Sequence, residues 1–184
     1  MSFFPSLPAD AGARHLLALN PEAGRALVAF HCAVLRHDTA LTARDKELLA
    51  AYVSGLNACQ YCHGVHRETA IAFGVDAGLL DALLSDLEQA PVEPRLRPLL
   101  AFARKLTLTP SRMAAADAQA AFDAGWSERD LHDAVLTIGL FNLMNRLLEG
   151  HGIKGSDELY ASRGKALAED GYAPLLAWLP EASG

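Results

Sequence analysis

The chain has 184 residues, 51% of them apolar, and a formal charge of −6. This length suits a single domain with a sizeable core. The acidic balance, with no basic cluster, argues against nucleic acid and anionic membrane surfaces as partners. The start lacks a basic segment followed by a long apolar run, and no apolar stretch approaches the ~20 residues of a membrane span, so we expect a cytoplasmic protein.

The predicted secondary structure is helical throughout. Alanine and leucine dominate, aromatic residues are few, and β-branched residues rarely run together, which favours an all-α fold. Residues 1–20 are expected to form an irregular arm, because Pro5 and Pro8 oppose a helix start. Pro21 suits the first position of the next predicted helix, which covers residues 21–37.

Two long helices are predicted to begin in the same way. Thr42, with Asp45 three residues on, opens a helix that reaches about Leu56, and Ser127 caps a helix that ends near Gly150. The two starts, TARD and SERD, echo each other, so we expect two similar helical lobes. The predicted organisation of the single domain is a first lobe with the cysteine pair over 21–84, a connector over 85–98, a second lobe over 99–150 and a tail over 151–184.

The tail carries glycines at positions 152, 155, 164 and 171 and then the apolar stretch YAPLLAWL, so one or two helices are expected in it. No side chain in the tail indicates a catalytic or binding role in a cleft, and we interpret this segment as structural or as an oligomer contact. Leu175, Leu176, Trp178 and Leu179 would be poorly covered if the tail had nothing to pack on. That arrangement would favour a homo-oligomer.

The residues with reactive chemistry lie between positions 47 and 66. A helix predicted to begin near Asn57 places Cys59 in its first turn, and Cys62 and His66 follow at i+3 and i+7 on the same face. The positive end of the helix dipole and a nearby imidazolium both favour the thiolate form. His66 stands one turn after Cys62 and is placed to take its proton, and Glu47 is placed to orient the imidazole.

Zinc binding is the alternative to redox chemistry at these residues. Cys59 and Cys62, with His66 or His63, supply three ligands. A structural zinc site needs a fourth, and the sequence has no second cluster of cysteine and histidine. We therefore expect no metal.

At these residues the chain resembles the AhpD-like alkylhydroperoxidases of the carboxymuconolactone decarboxylase superfamily. The resemblance rests on Glu-x11-Cys-x-x-Cys-x-x-x-His, here Glu47, Cys59, Cys62 and His66. AhpD has a histidine between its cysteines, whereas Tyr61 stands here, as is common in the peroxidase-related branch. The resemblance implies a two-lobed helical bundle, a trimer or hexamer, and a redox-active disulfide between Cys59 and Cys62 with no further cofactor.

Several other residues are secondary candidates. Tyr61 either belongs to the core or leans over the thiols. The stretch FNLMNR resembles a recurrent sequence of the same branch, and its Asn142, Asn145 and Arg146 form a polar group in an apolar helix. We expect them to pair inside the bundle, and keep Asn145 and Arg146 as secondary site residues. Cys32 has no partner nearby and is expected in the core.

The expected function is thiol-dependent reduction of a hydroperoxide. As the resemblance implies, Cys62 attacks the peroxide, Cys59 resolves the sulfenic acid to a disulfide, and an external dithiol, in AhpD a lipoyl-bearing protein, reduces the pair. The helix dipole is equally consistent with Cys59 as the first nucleophile, because Cys59 lies nearer the helix start. The alternatives are a redox-sensing or binding module with a regulatory disulfide, and a carboxymuconolactone decarboxylase-like enzyme, whose chemistry does not call for two cysteines.

Overall fold

The structure, a computed structural model, describes residues 2–37 and 39–180. This part of the chain is all-α, as predicted, with nine α-helices, two 3₁₀ segments and no strand. The helices are α1 (Ala13–Ala18), α2 (Pro21–Leu35), α3 (Ala43–Leu56), α4 (Gln60–Ala72), α5 (Leu79–Ser85), α6 (Arg97–Leu108), α7 (Ala115–Asp123), α8 (Glu128–Gly150) and α9 (Asp157–Asp170). The 3₁₀ segments cover Pro110–Arg112 and Ala173–Trp178.

Helices α3 and α8 begin where the sequence predicts. The Thr42 hydroxyl accepts a hydrogen bond from the Asp45 N–H at 3.2 Å, and an Asp45 carboxylate oxygen accepts from the Thr42 N–H at 3.2 Å. Ser127 and Asp130 repeat this reciprocal pattern at the start of α8. Each of these reciprocal pairs, known as a capping box, satisfies backbone donors that the first helical turn leaves unpaired.

Helix α3 forms the centre of the bundle. The ten residues from Asp45 to Ser54 are all buried, so this helix is covered on every side. It packs against α4, α8, α6 and α5, while α9 lies along α4. A helix buried all round must satisfy any polar side chain internally, and Glu47 lies in this buried stretch.

Helix α9 approaches α4 closely because it has a glycine at the contact. A Cβ atom built on Gly164 would lie 2.4 Å from the Cβ of Glu68 and 2.8 Å from the backbone nitrogen of Thr69. Any larger residue would push the two helices apart. The position of α9 over α4 is therefore set by residue 164.

The N-terminal arm is more ordered than predicted. Within the stretch 2–20, α1 forms a short helix, and the ring of His15 accepts a hydrogen bond from the Gly12 N–H at 3.0 Å. Leu16 and Leu17 are buried against the core. These tertiary contacts stabilise α1, and the two prolines do not prevent the helix because they lie before it.

The tail folds back on its own bundle. Leu179 is buried and Leu175 packs against the core, whereas Leu176 and Trp178 are exposed, Trp178 by 57%. The Arg14 guanidinium lies 4.5 Å from the centre of the Trp178 ring. Two of the four apolar side chains expected to need an oligomer contact are thus covered by the chain itself.

Among the described residues, no helix is both long enough and apolar enough to cross a membrane.

Candidate active site

The two closely spaced cysteines lie at the junction of α3 and α4. Ala58 adopts a left-handed conformation with φ of 53°, which turns the chain sharply after α3. The Cys59 N–H donates to the Ser54 carbonyl at 2.9 Å, and Cys59 itself is the N-cap of α4. Cys59 thus precedes the helix instead of occupying its first turn, and Cys62 lies in that turn.

The predicted capping role of Asn57 is wrong, because Asn57 ends α3 and bonds to α8 instead. Its side-chain amide donates to Oδ1 of Asn142 at 3.1 Å and to Oδ1 of Asn145 at 2.9 Å. Asn145 in turn donates to the Ser54 hydroxyl at 2.9 Å, and Arg146 donates to Asn142 Oδ1 at 3.0 Å. This amide cluster ties the cysteine-bearing junction to α8.

Both cysteines are reduced and buried, with exposures of 0% for Cys59 and 4% for Cys62. Hydrogen bonding with the Cys62 thiol lowers the pKa of Cys59. The same interaction, together with burial, raises the pKa of Cys62 well above its ordinary value, while hydrogen bonding to Asn145 acts in the opposite direction. Cys59 therefore loses its proton first, and Cys62 needs a base to become a nucleophile.

Cys32, the third cysteine, is half-buried on α2 and packs against the edge of the core.

A buried ionic network surrounds Glu47, whose side chain has no exposure to solvent. One carboxylate oxygen accepts from His66 Nδ1 at 2.7 Å. The other accepts from the Arg36 guanidinium at 2.8 Å and from the Tyr172 hydroxyl at 2.7 Å. The three partners come from α4, from the end of α2 and from the start of the C-terminal 3₁₀ segment.

The network keeps Glu47 ionised. Burial alone would raise its pKa, but the charges and hydrogen bonds of His66, Arg36 and Tyr172 outweigh it and lower the pKa. The pKa of Tyr172 is raised well above its usual value by burial and by Glu47, so its hydroxyl remains a donor. A carboxylate at Nδ1 fixes the proton of a neutral His66 there, which leaves Nε2 as the basic nitrogen.

Arg36 and Tyr172 are site residues that the sequence did not reveal. The interpretation that the tail contributes no side chain to a functional site is wrong, because the buried Tyr172 hydroxyl bonds to Glu47. The two residues stand 125 positions apart in the sequence. The place of Arg36 at the end of α2 is typical of a solvated cation at a helix end, so no local signal marks it as a partner of Glu47. No local signal distinguishes Tyr172 from an ordinary core aromatic.

A cavity of about 370 Å³ adjoins this network. Its lining includes Cys62, His66 and Tyr172 but not Cys59. His31 also lines it; its Nδ1 donates to the Leu27 carbonyl at 2.7 Å, and burial lowers its pKa to about 4. The reactive thiol and the imidazole thus share a space that a small molecule can fill.

Tyr61 belongs to the core, one of the two roles that the sequence left open. It is buried and, like Cys62, lines the cavity. Its hydroxyl accepts a hydrogen bond from the Ala13 N–H at 3.1 Å, and its ring meets Tyr160 edge to face at 6.1 Å between centres. Tyr61 therefore connects α4 to α1 and α9 at the cavity wall.

No group of three His, Cys, Asp or Glu side chains is placed to hold a metal ion within residues 2–37 and 39–180. The His63 ring bonds to the Ala51 carbonyl at 2.9 Å and faces α3.

Comparison with known proteins identifies a family domain within the chain. The sequence pattern of the carboxymuconolactone decarboxylase family matches residues 21–103, which include the cysteine pair, His66 and Glu47. A peroxidase-related protein with an alkylhydroperoxidase AhpD core, from Ralstonia eutropha JMP134, is 28% identical over 81% of this chain and 78% of its own, with a TM-score of 0.73. Residues 21–103 of this chain form a carboxymuconolactone decarboxylase family domain, and the fold is AhpD-like.

Two further solved structures share the AhpD-like fold. A peroxidase-related protein from Silicibacter sp. TM1040 is 26% identical over 82% of this chain and 78% of its own, with a TM-score of 0.75. A protein of unknown function from Agrobacterium tumefaciens is 21% identical over 75% of this chain and 93% of its own, with a TM-score of 0.64. No curated protein matches the chain in sequence. Tyr172 lies outside the residues that the family pattern covers.

Proposed function

We propose that this AhpD-like protein is a thiol-dependent peroxidase that reduces hydroperoxides through Cys59 and Cys62. The observation that carries the proposal is the shared cavity, in which Cys62 and the His66 imidazole both line one space. Glu47 fixes the orientation of that imidazole from within the core. The peroxidase-related structural relatives add support at the level of the family.

The first chemical step is attack by Cys62. Since burial and Cys59 raise the pKa of Cys62, the step needs a base, and His66 supplies it by drawing the proton directly or through a bridging water. The Cys62 sulfur attacks the distal peroxide oxygen, so that an S–O bond forms and the O–O bond breaks. The alkoxide leaves with the electron pair and takes the proton from His66, which gives an alcohol and Cys62 sulfenic acid.

The second step is resolution by Cys59. Its lowered pKa provides a thiolate, which attacks the Cys62 sulfur. The S–S bond forms, the S–O bond breaks, and the leaving hydroxide takes up a proton equivalent to the one that Cys59 lost, which gives water. Overall, two thiols and one hydroperoxide give one disulfide, one alcohol and one water, and an external dithiol then returns the two electrons. The resemblance to AhpD favours a lipoyl-bearing protein as that dithiol and a trimeric or hexameric assembly.

Turnover with a lipoyl-type reductant tests the proposal. In the presence of dihydrolipoamide, the wild-type protein should consume tert-butyl hydroperoxide catalytically. Cys59→Ser and Cys62→Ser should each abolish turnover, and Cys32→Ser, the matched control, should retain it. Turnover that persists in Cys62→Ser would exclude the proposed nucleophile.

A redox-sensing role is the second candidate, because Cys59 is fully buried and does not line the cavity, which would slow re-reduction of the disulfide by an external dithiol. A sensor would form the disulfide once per peroxide and would show little turnover with dihydrolipoamide. The same experiment therefore separates the two functions.

A further inference from the structure

We infer that the cavity binds amphipathic anions, and that the peroxide substrate is a carboxylate-bearing, medium-chain organic hydroperoxide whose carboxylate meets Arg163 and Arg14. This substrate class rests on the proposed function, whereas binding of the anion itself does not. The inference comes from two cations that line the same cavity as the thiol.

Arg163, on α9, is half-buried and lines the cavity. Arg14, on α1, also lines it and stacks on the Trp178 ring. Within the described residues, neither guanidinium has a carboxylate within ion-pair distance or a hydrogen-bond acceptor among the protein's own groups. Half-buried guanidinium groups usually meet a carboxylate or phosphate, because these anions match their fork of donors. A ligand anion is the partner that this wall lacks.

A third donor lies beside these cations. His15 lines the cavity, and its Nδ1 accepts from the Gly12 N–H at 3.0 Å, so the proton of the neutral ring is on Nε2. Asp10 is the one carboxylate among the lining residues, and it is exposed. Two arginines against one solvated aspartate leave the wall with a net positive charge, which favours an anion.

The remainder of the cavity wall suits an aliphatic chain. It is formed mainly by apolar side chains from α1, α2, α4, α8 and α9, among them Leu17, Val28, Val65, Met144, Leu148 and Leu159. A volume of about 370 Å³ lies near the lower end of the ~300–1,000 Å³ typical of small-molecule sites, so a medium chain fits better than a long one. Charged donors, an apolar wall and the Cys62 thiol together match a carboxylate, a chain and a hydroperoxide in one molecule.

Calorimetric titration with decanoate and decanamide tests anion binding without any redox step. These probes share a chain and differ in charge at the head. Decanoate should bind the reduced wild-type protein about 10-fold more tightly than decanamide, as expected for a charge-assisted hydrogen bond near solvent. Arg163→Met should remove most of that preference, Arg163→Lys should keep part of it, and Arg112→Met, at an exposed arginine outside the cavity, should keep all of it.

Circular dichroism shows whether each variant is folded, and Arg14→Met provides a second test should Arg163→Met unfold. Equal affinities for the two probes, no binding of either, or a preference that survives both arginine variants would overturn the inference.

Steady-state kinetics then separate this inference from the proposed function. The ratio of kcat/KM for 10-hydroperoxydecanoate to that for tert-butyl hydroperoxide should fall about 10-fold in Arg163→Met. If that ratio is unchanged while turnover continues, or if the KM for dihydrolipoamide alone rises, the substrate inference fails and the peroxidase function stands. If decanoate binding depends on Arg163 but no variant or wild-type protein turns over peroxide, the function fails and anion binding stands.

Discussion

Replacement of Glu47 by glutamine tests the buried network around which the site is built. Glutamine keeps the shape of the side chain and one acceptor oxygen but removes the charge. His66 then loses the carboxylate that holds its Nδ1 proton, and Arg36 loses its ion-pair partner. An amide N–H facing Nδ1 would also move the ring proton to Nε2, which removes the base from the cavity side of His66.

The cost to stability follows from the burial of these groups. Removal of one partner from a buried ion pair costs ~3–5 kcal/mol. The Arg36 side chain is 20% exposed and also donates to the carbonyls of Leu35 and Leu167, so part of its charge stays solvated. We therefore expect Glu47→Gln to lower the free energy of unfolding by about 2–4 kcal/mol. Peroxide reactivity should fall by about 100- to 10,000-fold, because the base is lost.

The stabilisation that ionised Glu47 provides depends on pH, and the direction follows from its pKa. The pKa of Glu47 is lowered in the folded state, so its stabilising contribution is present above the unfolded pKa of ~4.3 and is lost as the pH falls through the folded pKa. The difference in stability between wild type and Glu47→Gln should therefore narrow in acid.

Urea unfolding at pH 7 measures the change, with Glu169→Gln as the matched control. Glu169 is exposed and lies 3.8 Å from Lys165, so its loss should alter the unfolding free energy by no more than ~0.5 kcal/mol. A change of similar size in Glu47→Gln, or peroxide reactivity close to that of the wild type, would refute the reasoning.

Three further outcomes are expected. Tyr172→Phe removes one hydrogen bond to Glu47 and should cost ~1–3 kcal/mol in urea unfolding with helicity intact; no change would show that the bond is not stabilising. His66→Ala should slow peroxide reactivity ~100- to 10,000-fold, and retention of more than about a third would exclude it as the base. His31 has a folded pKa of about 4, below its unfolded ~6.5, so the unfolded state binds the proton first and stability falls as the pH drops from 6.5 to 4. His31→Leu should remove up to ~3 kcal/mol of that fall, and an unchanged pH profile would contradict this.

The starts of α3 and α8 could be predicted because they are set by local chemistry. Thr42 and Asp45, like Ser127 and Asp130, bond to each other across three residues, and this spacing is visible in the sequence. The start of α4 could not, because Asn57 bonds to residues of α8 that stand 85 and 88 positions away. The tertiary contacts of Asn57 therefore outweigh its propensity to cap a helix.

Some residues of the candidate site could likewise be predicted from the sequence, and others could not. Cys62 and His66 could be found because they lie about one turn apart on α4, and Cys59 and Glu47 because they complete a known motif. Arg36 and Tyr172 could not, since their roles depend on how α2 and the tail pack around the centre of α3. The internal duplication into two lobes and the oligomeric assembly remain predictions.

The most direct test of the account is the fate of the three cysteines after one equivalent of tert-butyl hydroperoxide. The reduced protein should lose two free thiols, and a tryptic map should show a disulfide between Cys59 and Cys62 with Cys32 still reduced. A disulfide that includes Cys32, or two unmodified cysteines at the α3–α4 junction, would contradict the central claim.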